Sequence, residues 1–202
     1  MALLQEVFGS SRENIWRELS AQIDGQYVPG TLWKGDKVEA KHGAWTLTLD
    51  YHLDPGNKVA YTRMRAPYIN PSGFHFRIYR RSSLSGLGKM LGMQDIEVGA
   101  KEFDEAFIVQ GNHEAKVRQL LSKETIRELI SLQPKIDLAV KDDEGWFGPT
   151  FPGGVDELQF RAVGRLKDIE QLKGLYELFA AILDELCRMG SAYKTDPHVD
   201  LR

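Results

Sequence analysis

The sequence predicts an α+β fold: an antiparallel β-meander sheet packed against helices, with a long amphipathic C-terminal helix. Three observations carry this expectation. Between about residues 36 and 81 apolar and polar residues alternate at a period of two, interrupted by Pro- and Gly-containing turns. From Asp168 to Gly190 the apolar residues recur at helical spacing without a break. Strand-like and helix-like segments are also grouped, which argues against an alternating parallel sheet.

Each element has a local reason. "SSRENIWRELSAQIDG" reads as a helix: Ser10 and Glu13 have capping-box spacing, and Ile15, Trp16, Leu19 and Ile23 make its apolar stripe. "DKVEAKHG" opens the strand region. "AWTLTLDYHL" alternates Trp45, Leu47, Leu49, Tyr51 and Leu53 with Thr46, Thr48, Asp50 and His52, as a half-buried strand does. "DPGN", Asp54 to Asn57, fits a type II turn. "KVAYTRMRAPYI" returns, "NPSG" turns again at Asn70 to Gly73, and "FHFRIYRR" follows; the pair is expected to form a hairpin. "SSLSGLGKMLGMQ" reads as a loop and "DIEVGAKEFDEAFIVQG" as a strand. "NHEAKVRQLLS" and "KETIRELISLQ" read as short helices, and "KIDLAVKD" and "DELQFRAVG" as strands. The last helix presents Ile169, Leu172, Leu175, Tyr176, Phe179, Ile182, Leu183 and Leu186 on one face, with Asp168 as its cap. These elements are expected to make one domain over residues 1–190, with a possible subdomain boundary near 84–92 and a frayed tail at 191–202.

With 202 residues, 42% of them hydrophobic and 27% charged, the chain has the composition of a globular domain with a sizeable core. The net charge of −3 offers no general attraction to nucleic acid. Cys187 stands alone, so no disulfide forms within the chain, and a reducing cytoplasm is the expected location. The first residues lack a basic region followed by an apolar run, so neither a signal peptide nor a membrane anchor is expected.

The charge is unevenly placed. No Asp or Glu occurs from Pro55 to Gln94, while Lys58, Arg63, Arg65, Arg77, Arg80, Arg81 and Lys89 lie there. Strand alternation puts Tyr61, Arg63 and Arg65 on one face, and His75, Arg77, Tyr79 and Arg81 on one face of the next strand. Arg63, Arg65, Arg77, Tyr79 and Arg81 are therefore the candidate anion- or partner-binding residues, because guanidinium groups recognise carboxylates and phosphates through paired hydrogen bonds. The competing reading is a solvated face, or pairing with acids elsewhere in the chain.

Other motifs are weaker. "SGLGKMLG" departs from a phosphate loop, with Met90 where Ser or Thr should stand. Asp142, Asp143 and Glu144 lack calcium-loop spacing. The histidines have no metal-ligand spacing, no cofactor motif is found, and neither metal nor cofactor is expected. A possible pocket would use Asp50, His52 and His75 as polar groups, with Trp146, Phe147 and Phe151 as a lid.

"FDEAFIVQGNHEAKVRQLL", together with "TRMRAPYIN", "FRIYRR" and "MQDIEVG", resembles bacterial protein families of uncharacterised function. The resemblance covers the middle half of the chain. It implies a bacterial origin and an α+β domain, and brings no ligand, cofactor or catalytic residue.

The first functional expectation is a non-enzymatic cytoplasmic binding or protein-interaction module whose Arg/Tyr face recognises an anionic partner, a protein or a small ligand. The alternative is a small-molecule binder or enzyme with a pocket between the sheet and the C-terminal helix. Nucleic-acid binding stands third. Catalytic residues are not assigned, and the balance leans against an enzyme.

Overall fold

A computed structural model describes residues 13–31, 35–54, 58–82, 94–142, 151–199 and 201. Residues 13–22 are helical (α1). The elements that follow are β1 (Gln26–Val28), β2 (Lys37–His42), β3 (Trp45–Leu53), β4 (Ala60–Ile69), β5 (Phe76–Arg80) and β6 (Gln94–Asp95). Then come α2 (Lys101–Ala106), β7 (Phe107–Gly111), α3 (Glu114–Leu121), α4 (Glu124–Ser131), β8 (Asp137–Lys141), β9 (Val155–Val163) and α5 (Ile169–Arg188). The strands build one nine-stranded sheet in the order β1-β2-β3-β4-β9-β8-β5-β7-β6, and every pairing is antiparallel. The α+β expectation, with its antiparallel sheet and long last helix, holds. The sheet takes strands from both sides of 84–92.

The β2–β3 hairpin turns through two residues, with Gly43 at φ +58°, a conformation glycine adopts without a Cβ penalty. The expected β4–β5 hairpin does not form. β9 and β8 lie between these strands, because β9 offers β4 nine matched positions from Tyr61↔Val163 to Ile69↔Val155, against a β5 of five residues. Pro67 is tolerated inside β4 because the β3 pairing ends at Thr48↔Arg65, leaving the missing N–H without a ladder position on that side.

Two other expectations are corrected. Residues 101–106 are helical, not strand, and the Phe103 ring on this helix stacks at 4.6 Å on that of Phe107 at the start of β7. The Asp104 carboxylate also accepts from the N–H groups of Val98 and Gly99, both at 2.9 Å, which fixes the helix entry. The tail does not fray from its start: Tyr193 bridges to Ile69, and Ser191 and Ala192 are buried. The Ser10 cap, the Pro55–Asn57 part of the first turn and the 84–92 segment lie outside the described residues.

Helix α5 covers one face of the sheet. Leu172, Leu175, Phe179, Ile182, Leu183 and Leu186 are wholly buried in one cluster with Leu49, Met64, Phe160, Leu138 and Ile78 from five strands. Each such side chain contributes about 1.5–3 kcal/mol by leaving water. The Asp168 carboxylate caps α5 by accepting from the Gln171 N–H at 2.9 Å, as the sequence predicts. Tyr176 ties the helix to the sheet through its hydroxyl, which donates to the Val38 carbonyl at 3.1 Å.

Candidate binding site

Residues opposite one another across antiparallel strands share a face. One row therefore runs Asp50–Arg63–Arg161–Asp137–Tyr79 across β3, β4, β9, β8 and β5. The next runs Thr48–Arg65–Gln159–Ala139–Arg77–Gln110. The arginines and tyrosines do gather on one sheet face, through two intervening strands and not through a hairpin. Arg80 lies on the other face, where it donates to the Ser131 and Gln133 carbonyls at the end of α4 and stacks on Phe107.

Most of this face is already paired. Arg63 makes a two-pronged contact with Asp50, both bonds 2.9 Å, and Arg65 donates to the same carboxylate at 2.7 Å. Arg63 and Arg65 are only 8% and 2% exposed, so they offer little to an external partner. Burial pushes the Asp50 carboxyl up, but the Arg63 hydrogen bond and the charges of Arg65 and Arg63 outweigh it, and the carboxyl is held below its ordinary value. Arg77 makes a second two-pronged pair with Asp137, at 2.7 and 3.0 Å, and packs over the Tyr79 ring. Arg81 donates to the Asp104 carbonyl at 2.9 Å. All five arginines between Tyr61 and Arg81 thus have partners within the fold, and the acids that answer Arg63, Arg65 and Arg77 come from outside the acid-free segment.

Arg161 is different. Nothing in the local sequence marks it, because it lies outside the acid-free segment. It stands between Arg63, whose carboxylate is Asp50, and Asp137, which Arg77 has taken. Its guanidinium packs over the Tyr61 ring at 4.6 Å, and its buried Nε has no hydrogen-bond acceptor among the described residues. It lines a cleft of about 170 Å³ together with Tyr61, Arg77, Lys135, Ile136, Asp137, Ala162 and Val163.

The expected polar pocket is not assembled. His52 and Asp50 stand on the polar face of β3, whereas His75 precedes β5 and turns to Asp156, 3.3 Å away. The Asp156 hydrogen bond holds the His75 imidazole above its ordinary value; burial works against it and the Gly73 carbonyl assists. His52 is shifted the other way, by burial first and then by the charge of Arg63. Asp156 also accepts from Asn70, which in turn accepts from Ser72, so His75 belongs to a knot that fixes the Asn70–Gly73 turn. Phe151 is buried. Trp146 and Phe147 lie outside the described residues. Among the described residues no group of three or more His, Cys, Asp or Glu could hold a metal ion, and no helix is long and apolar enough to cross a membrane.

At the sheet centre α5 packs with fully buried side chains, and at its flank a groove of about 250 Å³ opens between the end of α1, the β2–β3 hairpin and α5. Ile23, Ala40, Leu47, Tyr176 and Ala180 give it apolar walls, and Gln22, Lys41, His42, Lys173 and Glu177 give it polar ones. None of these was named as a site residue from the sequence.

No family model matches the chain, and no curated protein matches it. The fold is similar to that in the crystal structure of the mycobacterial trehalose monomycolate transport factor A, TtfA, with a TM-score of 0.51 and 8% identity over 95% of this chain and 99% of that one. At that identity the likeness is one of fold. It corrects two expectations. The fold is represented by a named, characterised transport factor, not only by uncharacterised families. The cytoplasmic location does not stand either: it rested on one cysteine and the first residues, neither of which fixes a compartment, and the fold neighbour is a trehalose monomycolate transport factor.

Proposed function

We propose that the chain is a non-enzymatic binder of a small amphiphilic molecule, held in the groove between β2–β3 and α5. The observation that supports it is the groove's divided lining, with Ile23, Leu47 and Ala180 for an apolar group and Lys41, His42, Lys173 and Glu177 for a polar, hydroxyl-bearing one. The polar groups are adaptable. Lys41 bonds Thr46, His42 bonds Asp184 and Lys173 bonds Glu170, all in exposed contacts that cost little to exchange for a ligand. That the fold neighbour is a trehalose monomycolate transport factor is in keeping with this reading. A protein-partner role for the arginine face is less well supported, because Arg63, Arg65 and Arg77 already hold carboxylates of the same chain.

The test is titration with dodecyl maltoside below its micelle-forming concentration, followed by amide NMR shifts of Ile23, Leu47 and Ala180. Saturable shifts are expected in the native chain. Ala180→Trp, at a partly exposed position, should fill the groove and weaken binding by about tenfold or more, near 1.4 kcal/mol. Equal binding by the two proteins, or no saturable shift, would sink the proposal.

A further inference from the structure

We propose that the cleft between β4, β8 and β9 binds a phosphate group, with Arg161 and Lys135 as its ligands. Three cations line it, Arg77, Arg161 and Lys135, against one carboxylate, Asp137. Asp137 is taken by the two-pronged bond from Arg77, so that pair is neutral and closed. What remains is the charge of Arg161 and of exposed Lys135, neither of which has a carboxylate partner among the described residues. Two positive charges match a phosphate monoester, which carries about −1.5 to −2 at neutral pH, better than they match a single carboxylate.

Geometry also points to a ligand. Asp137 is the residue directly opposite Arg161 in the register, yet it bonds the diagonal Arg77. On its other side Arg161 faces Arg63, a like charge, and cross-strand like charges are unfavourable. The Arg161 guanidinium packs over the Tyr61 ring, 4.6 Å from its centroid, a contact that does not satisfy the buried Nε–H. A buried guanidinium Nε without an acceptor is costly, and a phosphate oxygen would satisfy it with a charge-assisted bond. The cleft, about 170 Å³, is smaller than the roughly 300–1,000 Å³ that houses a drug-sized ligand, so it suits a head group alone. Val163, 50% exposed, stands at its wall and would meet whatever the phosphate carries. The site is on the opposite face of the sheet from the α5 groove, and it stands or falls independently of that groove.

The full chain would be titrated with inorganic phosphate and, separately, with dodecyl phosphate below its micelle-forming concentration, following the amide signals of Ile136 and Ala162. Saturable shifts are expected with millimolar inorganic phosphate. Arg161→Gln should weaken binding by about tenfold or more and Lys135→Gln by about threefold, while Arg118→Gln, a surface charge of α3 with its own Glu114 partner, should change nothing. Lys135 is exposed, so its replacement leaves the fold intact even if Arg161→Gln does not fold. Tighter binding of dodecyl phosphate would identify the head group of an amphiphile, and equal binding a free phosphate; both uphold the site. Absence of saturable shifts with both compounds, or native-like binding by both variants, would overturn it.

Discussion

The two faces of the sheet solve the same problem by different means. Both are deeply buried at β4 and β9, where Met64 and Phe160 on one face are as hidden as Glu157 on the other. The face under α5 is held by apolar contact, which has no direction and no charge. The opposite face is held by pairs that must be matched one by one, Arg63 and Arg65 with Asp50, and Arg77 with Asp137. An apolar face tolerates imperfection in proportion to the volume lost. A charged buried face fails wherever one partner is missing, and a residue left over on it, such as Arg161, stands out.

Removing an apolar anchor should have the largest effect. Phe179→Ala in α5 would empty a site of zero exposure and is expected to cost about 4 kcal/mol, measured by urea unfolding and nearly the same across pH. Asp50→Asn comes next, at about 3 kcal/mol, since it leaves two buried guanidinium groups facing a neutral amide. Its pH dependence separates the faces. The native Asp50 carboxyl lies below its ordinary value of 3.8, so its stabilisation is complete above that value and is lost as pH falls further through the folded one. The gap between the native chain and Asp50→Asn should therefore narrow in acid, whereas the Phe179→Ala gap should not. A pH-independent Asp50→Asn gap would break the contrast.

Much of this was legible in the sequence, and the limits have physical causes. Period-two alternation placed Arg63 and Arg65 on the face of Asp50 and His52, and placed Arg77 and Tyr79 on the same face of a later strand. Helical spacing and Asp168 gave α5 its bounds. Strand order was not legible, because alternation says which way a side chain points and nothing about which strand lies beside it. That omission concealed Asp137 and Arg161, both far along the chain, and made the arginines look unpaired. The α5 groove was hidden for the same reason: its walls come from α1, the β2–β3 hairpin and α5, and none of the three has an unusual composition.

The smallest effect is the most discriminating. Arg161→Met keeps an unbranched apolar stem while removing the unmatched guanidinium that packs over Tyr61. It forfeits a cation–π contact worth about 0.5–1 kcal/mol, and it relieves a buried unsatisfied donor costing about 1–3 kcal/mol. The repulsion facing Arg63 also disappears. In phosphate-free buffer the variant should therefore be as stable as the native chain or more so, by about 1 kcal/mol in urea unfolding, and addition of phosphate should stabilise only the native chain. Stabilisation of this kind with loss of phosphate binding would be a trade of function for stability. If Arg161→Met loses stability on the scale of Asp50→Asn, then Arg161 serves the sheet as Arg63 and Arg65 do, and the charged face is structural throughout.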